Sequence, residues 1–97
     1  MSFDVVLAPE AVEDLRQLKA SVRAVVKSAL ETHLRHEPTK ISRTRIKRLR
    51  RLLRPQYRLR VDDIRVFYDV SGATVQILAI VSKSEAEEWL RKFGDRI

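Results

Sequence analysis

The chain has 97 residues, 44% of them hydrophobic and 34% charged, with no cysteine and a formal net charge of +7. This length suits one domain over residues 1–97 with a single modest core, and the hydrophobic share is too high for a disordered chain. The composition excludes a disulfide framework and a thiolate zinc site. No apolar run is long enough to span a bilayer, and "MSFDVVLAP" lacks the pattern of a secretory leader, so the expected location is cytoplasmic.

In chain order, "FDVVLA" (Phe3–Ala8) suits a strand. Pro9 then opens a helix at the position where a missing N–H costs nothing, with Glu10, Glu13 and Asp14 complementing its dipole. Ala11, Leu15 and Leu18 form one apolar stripe. After a break near Ala20–Ser21, Val22, Val25, Val26, Ala29, Leu30 and Leu34 mark the buried face of a second helix, which Glu37-Pro38 ends. The two helices read as an antiparallel hairpin.

The next segment concentrates the charge. Between Pro38 and Val61 there is no Asp or Glu, and Lys40–Arg60 holds ten basic residues, half of all Lys and Arg in the chain. Such a patch suits a polyanion. Within it Ile46, Leu49 and Leu52 or Leu53 could bury a helical turn or lead, extended, into a strand.

Tyr57–Val61 and Ile64–Val70 alternate with period two, with Asp62-Asp63 between them as a two-residue turn. Ser71-Gly72 marks the next turn, and "TVQILAIV" (Thr74–Val81) reads as a strand covered on both faces. Ser82 and Glu85 form a capping box for a last helix. Its buried side is Ala86, Trp89, Leu90 and Phe93, and Gly94 ends it. The expected fold is α+β, in the order β-α-α-β-β-β-α. Its last three strands form an antiparallel meander, with the helices packed on one face of a small sheet.

Pairing across Asp62-Asp63 sets Val61 against Ile64, Arg60 against Arg65, Leu59 against Val66, Arg58 against Phe67 and Tyr57 against Tyr68. Opposed residues share a face. One face is then the apolar core side, and the other carries Arg58, Arg60, Arg65 and an exposed Phe67. Arg60 opposite Arg65 opposes like charges, which costs stability. Three guanidinium groups beside an aromatic ring suit a phosphodiester backbone and a stacked base. A solvated face whose arginine stems cover the sheet is the plain alternative. Lys47, Arg48, Arg50, Arg51 and Arg54 in the neighbouring basic run are the further candidates for contact with such a phosphodiester backbone. His33 and His36, three apart, suit favourable charge at a helix C-terminus better than a metal site.

The element order, together with "YRLRVDDIRVFYDV" and "VQILAIVSKSEAEEWL", resembles the RelE/ParE superfamily of toxins from type II toxin–antitoxin modules, over nearly the whole chain. The specific part is Tyr-Arg-x-Arg, the turn, and Arg-Val-x-Tyr. The resemblance to the RelE-like branch implies a ribosome-dependent endoribonuclease that cuts messenger RNA in the A site. It implies attack by the ribose 2′-hydroxyl on the adjacent phosphate, no metal or other cofactor, and neutralisation by a cognate antitoxin protein. It assigns the phosphate-binding role to Arg58, Arg60 and Arg65, with charge stabilisation by preorganised cations.

Ser84 and Leu90 stand where RelE has an arginine and a tyrosine. An arginine is a poor general base, so Lys83 and Glu85 are the nearby titratable candidates for proton transfer, with a solvated helix start for Lys83 and the capping-box role for Glu85 as the plain alternatives. The alternative within the superfamily is a ParE-like inhibitor of DNA gyrase, or a toxin homologue acting by protein binding alone. The basic-histidine run expected for ParE after the last core strand is replaced here by "SKSEAEEWL".

Overall fold

The structure is a computed structural model and describes residues 2–97. Strand β1 (Asp4–Leu7) leads into α1 (Pro9–Gln17), with Pro9 at its first position as expected. The chain is extended at Leu18 and Lys19, then turns into α2 (Ala20–Ala29), so the break falls slightly before the expected one. Arg23 ties the hairpin. Its guanidinium donates to the carbonyls of Leu18 at 2.8 Å, Arg16 at 3.1 Å and Leu15 at 3.3 Å, satisfying the open end of α1.

α2 widens into a π-helical turn over Leu30–Leu34, in which the Arg35 N–H reaches back to the Leu30 carbonyl at 3.2 Å. Of the expected stripe, Val26, Leu30 and Leu34 are buried, but Val25 is 48% exposed. Val25 and Val26 are successive on the helix, about 100° apart, and only one of them can point at the sheet.

The basic segment resolves into strands rather than a helical turn. The Ser42 hydroxyl oxygen accepts the N–H groups of Arg45 at 2.9 Å and Ile46 at 3.0 Å, which turns the chain into β2 (Ile46–Arg48). Arg51 takes a left-handed φ of 61° and β3 (Leu52–Arg54) follows. Then come β4 (Tyr57–Val61), β5 (Ile64–Ser71) and β6 (Thr74–Ser82). A short helical lead over Lys83–Glu85 opens α3 (Ala86–Phe93), and β7 (Asp95–Arg96) closes the chain.

The main sheet runs β1-β6-β5-β4-β2, with β1 parallel to β6 and the other pairs antiparallel, while β3 and β7 form a second, two-stranded sheet. β2, β3 and β7 are additions to the expected element order. They are so short that their alternation cannot be told from loop.

The register of β4 on β5 is the expected one at every pair, from Tyr57 against Tyr68 to Val61 against Ile64. Leu59, Val66, Tyr68, Val75, Ile77 and Ile80 meet Ala11, Val26, Leu30 and Leu34 of the helical hairpin in one core. The Tyr68 hydroxyl donates to the Pro38 carbonyl at 2.6 Å, and burial raises its pKa. A bulge explains the unbroken apolar run of β6. Phe67 pairs with Ala79 and Tyr68 with Ile77, skipping Leu78, so Ile80 and Ile77 both face the core.

Two expectations about α3 are corrected. It does not share a face with the hairpin: Trp89 stacks on Phe67, 5.0 Å between centroids and 5° from parallel, on the opposite side of the sheet. The cap also differs. Ser82 Oγ lies 2.8 Å from Glu85 Oε1, but neither side chain caps a backbone N–H. Phe93 is 63% exposed. Gly94 does end α3, though not through a left-handed turn: a Cβ there would stand 2.6 Å from the Leu90 carbonyl oxygen.

Past the end of β1, β6 has no strand neighbour on that side, and α1 supplies one acceptor. Asp14 Oδ2 accepts the Ile80 N–H at 2.9 Å. Burial raises the Asp14 pKa, the Ile80 bond opposes this, and Glu10, Glu13 and Glu85 reinforce it. Asp14→Ala leaves the buried Ile80 N–H unpaired and is expected to cost about 1–3 kcal/mol. Asp14→Asn keeps the acceptor and is expected within about 1 kcal/mol of wild type. Urea denaturation of the two variants checks both.

His33 is half-buried, and burial first, then the nearby Arg45, lowers its pKa. This corrects the expected cationic role at the helix end. Because the folded state holds His33 below its unfolded pKa, the unfolded chain takes up the proton first as pH falls. Stability is therefore full above about pH 6.5 and declines below it. His33→Gln is expected to flatten that decline, measured as thermal midpoints between about pH 7 and 5.

Candidate phosphate-binding face

The register that buries Leu59 and Val66 forces the alternate residues of β4 and β5 outward together. Arg60 stands against Arg65 and Arg58 against Phe67. On the other side of β4, Lys47 stands against Arg58. The Arg60 N–H donates to the Arg45 carbonyl at 2.8 Å, extending the pairing by one position and placing Arg45 across from Arg60. The face thus has two rows: Arg45, Arg60 and Arg65 in one, and Lys47, Arg58 and Phe67 in the other. Among the described residues, none of these five cations is in an ion pair.

Arg58 is the centre of the group. Burial lowers its pKa, and the charges of Arg65 and then Arg60 lower it further. Its Nε is buried and has no hydrogen-bond partner. A buried, unpaired donor on a charged group is unfavourable by itself. Arg65 is 8% exposed and folded against the turn, with Nη1 donating to the Asp62 carbonyl at 2.8 Å and the Ile64 carbonyl at 3.1 Å. Those bonds fix its guanidinium without neutralising it. Asp62 supports the turn with a left-handed φ of 52°.

The remaining candidates separate by their partners. Phe67 is on the arginine face as alternation requires, but it is fully buried beneath Trp89 rather than exposed, so no base can stack on it while α3 is docked. Arg54 is paired with Asp69 at 2.8 Å, and Asp69 also accepts the Gln56 N–H at 2.7 Å. Arg48 lies over the Tyr57 ring, 5.3 Å from its centroid, and donates to the Gln56 carbonyl at 2.8 Å. Both arginines brace the entry to β4. Arg50 and Arg51 are exposed in the β2–β3 turn, apart from the two rows.

Lys83 is exposed at the end of β6, where its backbone N–H donates to Asp63 at 2.7 Å. Glu85 holds the Ser82 hydroxyl, and its charge acts on Asp14. Neither is among the charges that act on Arg58. Arg45 is the member that sequence reasoning missed. The signal was its spacing of two from Lys47, visible only once β2 is known to be a strand. Among the described residues no three His, Cys, Asp or Glu side chains group as metal ligands, and no helix is long and apolar enough to cross a membrane.

The comparisons with known proteins agree with this architecture. A sequence model of the ParE toxin of the type II toxin–antitoxin system, parDE, matches residues 5–87. The chain belongs to this family, within the RelE/ParE superfamily, and is a toxin of a type II toxin–antitoxin module.

Among solved structures it is similar to the toxin–antitoxin complex RelBE2 of Mycobacterium tuberculosis, with 26% identity and a TM-score of 0.73 over 84% of this chain and 99% of that one. The archaeal RelE–RelB complex of Pyrococcus horikoshii gives 22% identity and a TM-score of 0.70 over 86% and 97%. The YoeB dimer of Staphylococcus aureus gives 18% and 0.63 over 81% and 94%. The last two show the fold alone. No curated protein sequence matches the chain.

Removing the unsatisfied charge should stabilise the protein. Arg58→Met keeps an apolar stem on the sheet and is expected to raise stability by about 1 kcal/mol, measured by urea denaturation.

Proposed function

We propose that the toxin is a ribosome-dependent, metal-independent endoribonuclease of messenger RNA, a single RelE-like domain over residues 1–97, acting in the cytoplasm and held inactive by a cognate antitoxin. The observation that carries this reading is the buried, unpartnered Nε of Arg58 among four further cations without carboxylate partners. Structures arranged this way are complementary to an anion whose charge grows in the transition state. A phosphate cut by its neighbouring 2′-hydroxyl is such an anion. The similarity to toxins solved with their antitoxins supports an antitoxin partner here.

Arg58, Arg60 and Arg65 hold the phosphate and stabilise its developing charge, and Arg45 and Lys47 bind the flanking backbone. Arg50, Arg51 and the outer faces of Arg48 and Arg54 extend the positive field. Proton transfer falls to a group other than arginine, because a guanidinium does not give up its proton. Lys47 is the one lysine in the two rows, beside Arg58, while Lys83 and Glu85 stand at the margin.

Lys47→Arg keeps the charge and is expected to preserve RNA binding while cutting falls by about 10²–10⁴-fold, the usual worth of one proton-transfer group. Cleavage of a ribosome-bound message, followed by primer extension, is the readout. Equal cleavage in this variant removes Lys47 from the chemistry. Unchanged growth arrest by Arg58→Met removes the phosphate-binding reading altogether.

The family match favours a second reading, the ParE-like inhibition of DNA gyrase. DNA breaks with intact messages on expression would select it, whereas truncated messages select the ribonuclease.

A further inference from the structure

On the α3 side of the sheet, between α1, α3 and β7, lies a cleft of about 480 Å³ lined by Ala8, Glu10, Asp14, Arg54, Leu78, Trp89, Phe93 and Asp95. From this cleft we infer a binding site for a linear aliphatic amine, of the di- and polyamine class.

Three observations select this ligand. The walls are apolar and aromatic: Leu78 forms the floor at the bulge, while Trp89 and Phe93, 5.5 Å apart and tilted by 41°, form one side. Aromatic faces of this kind attract alkyl ammonium groups. The charges are of the opposite sign to the rest of the molecule. In a chain of net charge +7, the cleft presents Glu10, Asp14 and Asp95. Among the described residues none of these three is in an ion pair. The one basic residue in the lining, Arg54, turns its Nε to Asp69 at 2.8 Å.

The volume falls within the range of small-ligand clefts, about 300–1,000 Å³, and the carboxylates come from two separate elements, Glu10 and Asp14 from α1 and Asp95 from β7, around apolar lining residues. An extended amine can place its methylenes on Leu78 and Trp89 and its ammonium groups on separate carboxylates. A single lysine side chain from a protein partner would bring one charge to this arrangement. The site has a consequence for α3. No residue of α3 is fully buried, and its stacking contact with the main sheet is Trp89 on Phe67. An amine bridging α1, α3 and β7 fastens the helix over the arginine face.

Trp89 is the chain's single tryptophan and reports on the cleft directly. Titration of the intact toxin with spermidine is expected to change Trp89 emission saturably. Sodium chloride at matched ionic strength and a neutral diol of similar length are expected to leave it unchanged. The double variant Glu10→Gln/Asp95→Asn spares Asp14, which holds Ile80, and is expected to weaken spermidine by about ten-fold. Its near-ultraviolet circular dichroism, matched to wild type, establishes that the fold is kept. Spermidine is also expected to slow amide exchange in α3 of the wild type but not of the double variant. A spermidine effect reproduced by salt, equal affinity in the folded double variant, or no saturable change would each overturn the inference. Because none of these readouts involves RNA, their outcome is separate from that of the ribonuclease reading.

Discussion

The structure depends on one register. With Tyr57 against Tyr68 and Leu59 against Val66, the apolar residues of β4 and β5 face the helical hairpin. A slip of one residue would turn every side chain to the other face and bury arginine in place of leucine. The same register sets Arg60 against Arg65 and Lys47 against Arg58. Core burial, worth roughly 1.5–3 kcal/mol for each large apolar side chain, outweighs the repulsion of opposed charges, roughly 0.2–1 kcal/mol per pair. The fold therefore tolerates a concentrated positive face that local electrostatics alone would disperse.

The basic residues divide by what answers their charge. Arg23 closes the end of α1 through three carbonyls, Arg48 braces Gln56 and Tyr57, and Arg54 is neutralised by Asp69. These belong to folding. Arg45, Lys47, Arg58, Arg60 and Arg65 have no carboxylate partner among the described residues, and Arg58 leaves a buried donor unmet. Local cost without structural return, concentrated in one place, is the expected mark of a functional site. α3 covers one corner of this face by placing Trp89 over Phe67.

Much of the fold was legible in the sequence because it rests on strong periodicities. The β4–β5 hairpin, its turn at Asp62-Asp63, the core stripe of Ala11, Val26, Leu30 and Leu34, and the turn at Gly72 all follow from local pattern. The guanidinium face was legible for the same reason. What was hidden depends on long-range contact. The exposure of Phe67 could not be judged without knowing that α3 crosses the sheet to cover it. The strand character of Ile46–Arg48 comes from pairing with β4, three residues being too few to show a period. Arg54 and Asp69 are 15 residues apart, and nothing in their local sequence couples them. His33 looked like a helix-end cation until burial and Arg45 were seen to oppose its charge.

The family match and the shared fold place the chain among type II toxins, and the unpaired face is where its chemistry is expected. The most direct measurement of that claim is the salt dependence of binding to a short single-stranded RNA. Five cations contacting phosphates predict that log K falls against log salt with a slope of about −3 to −4, at about −0.7 per contact. A slope near zero would contradict the account, because it would mean that the face is solvated surface and that phosphate is not its ligand.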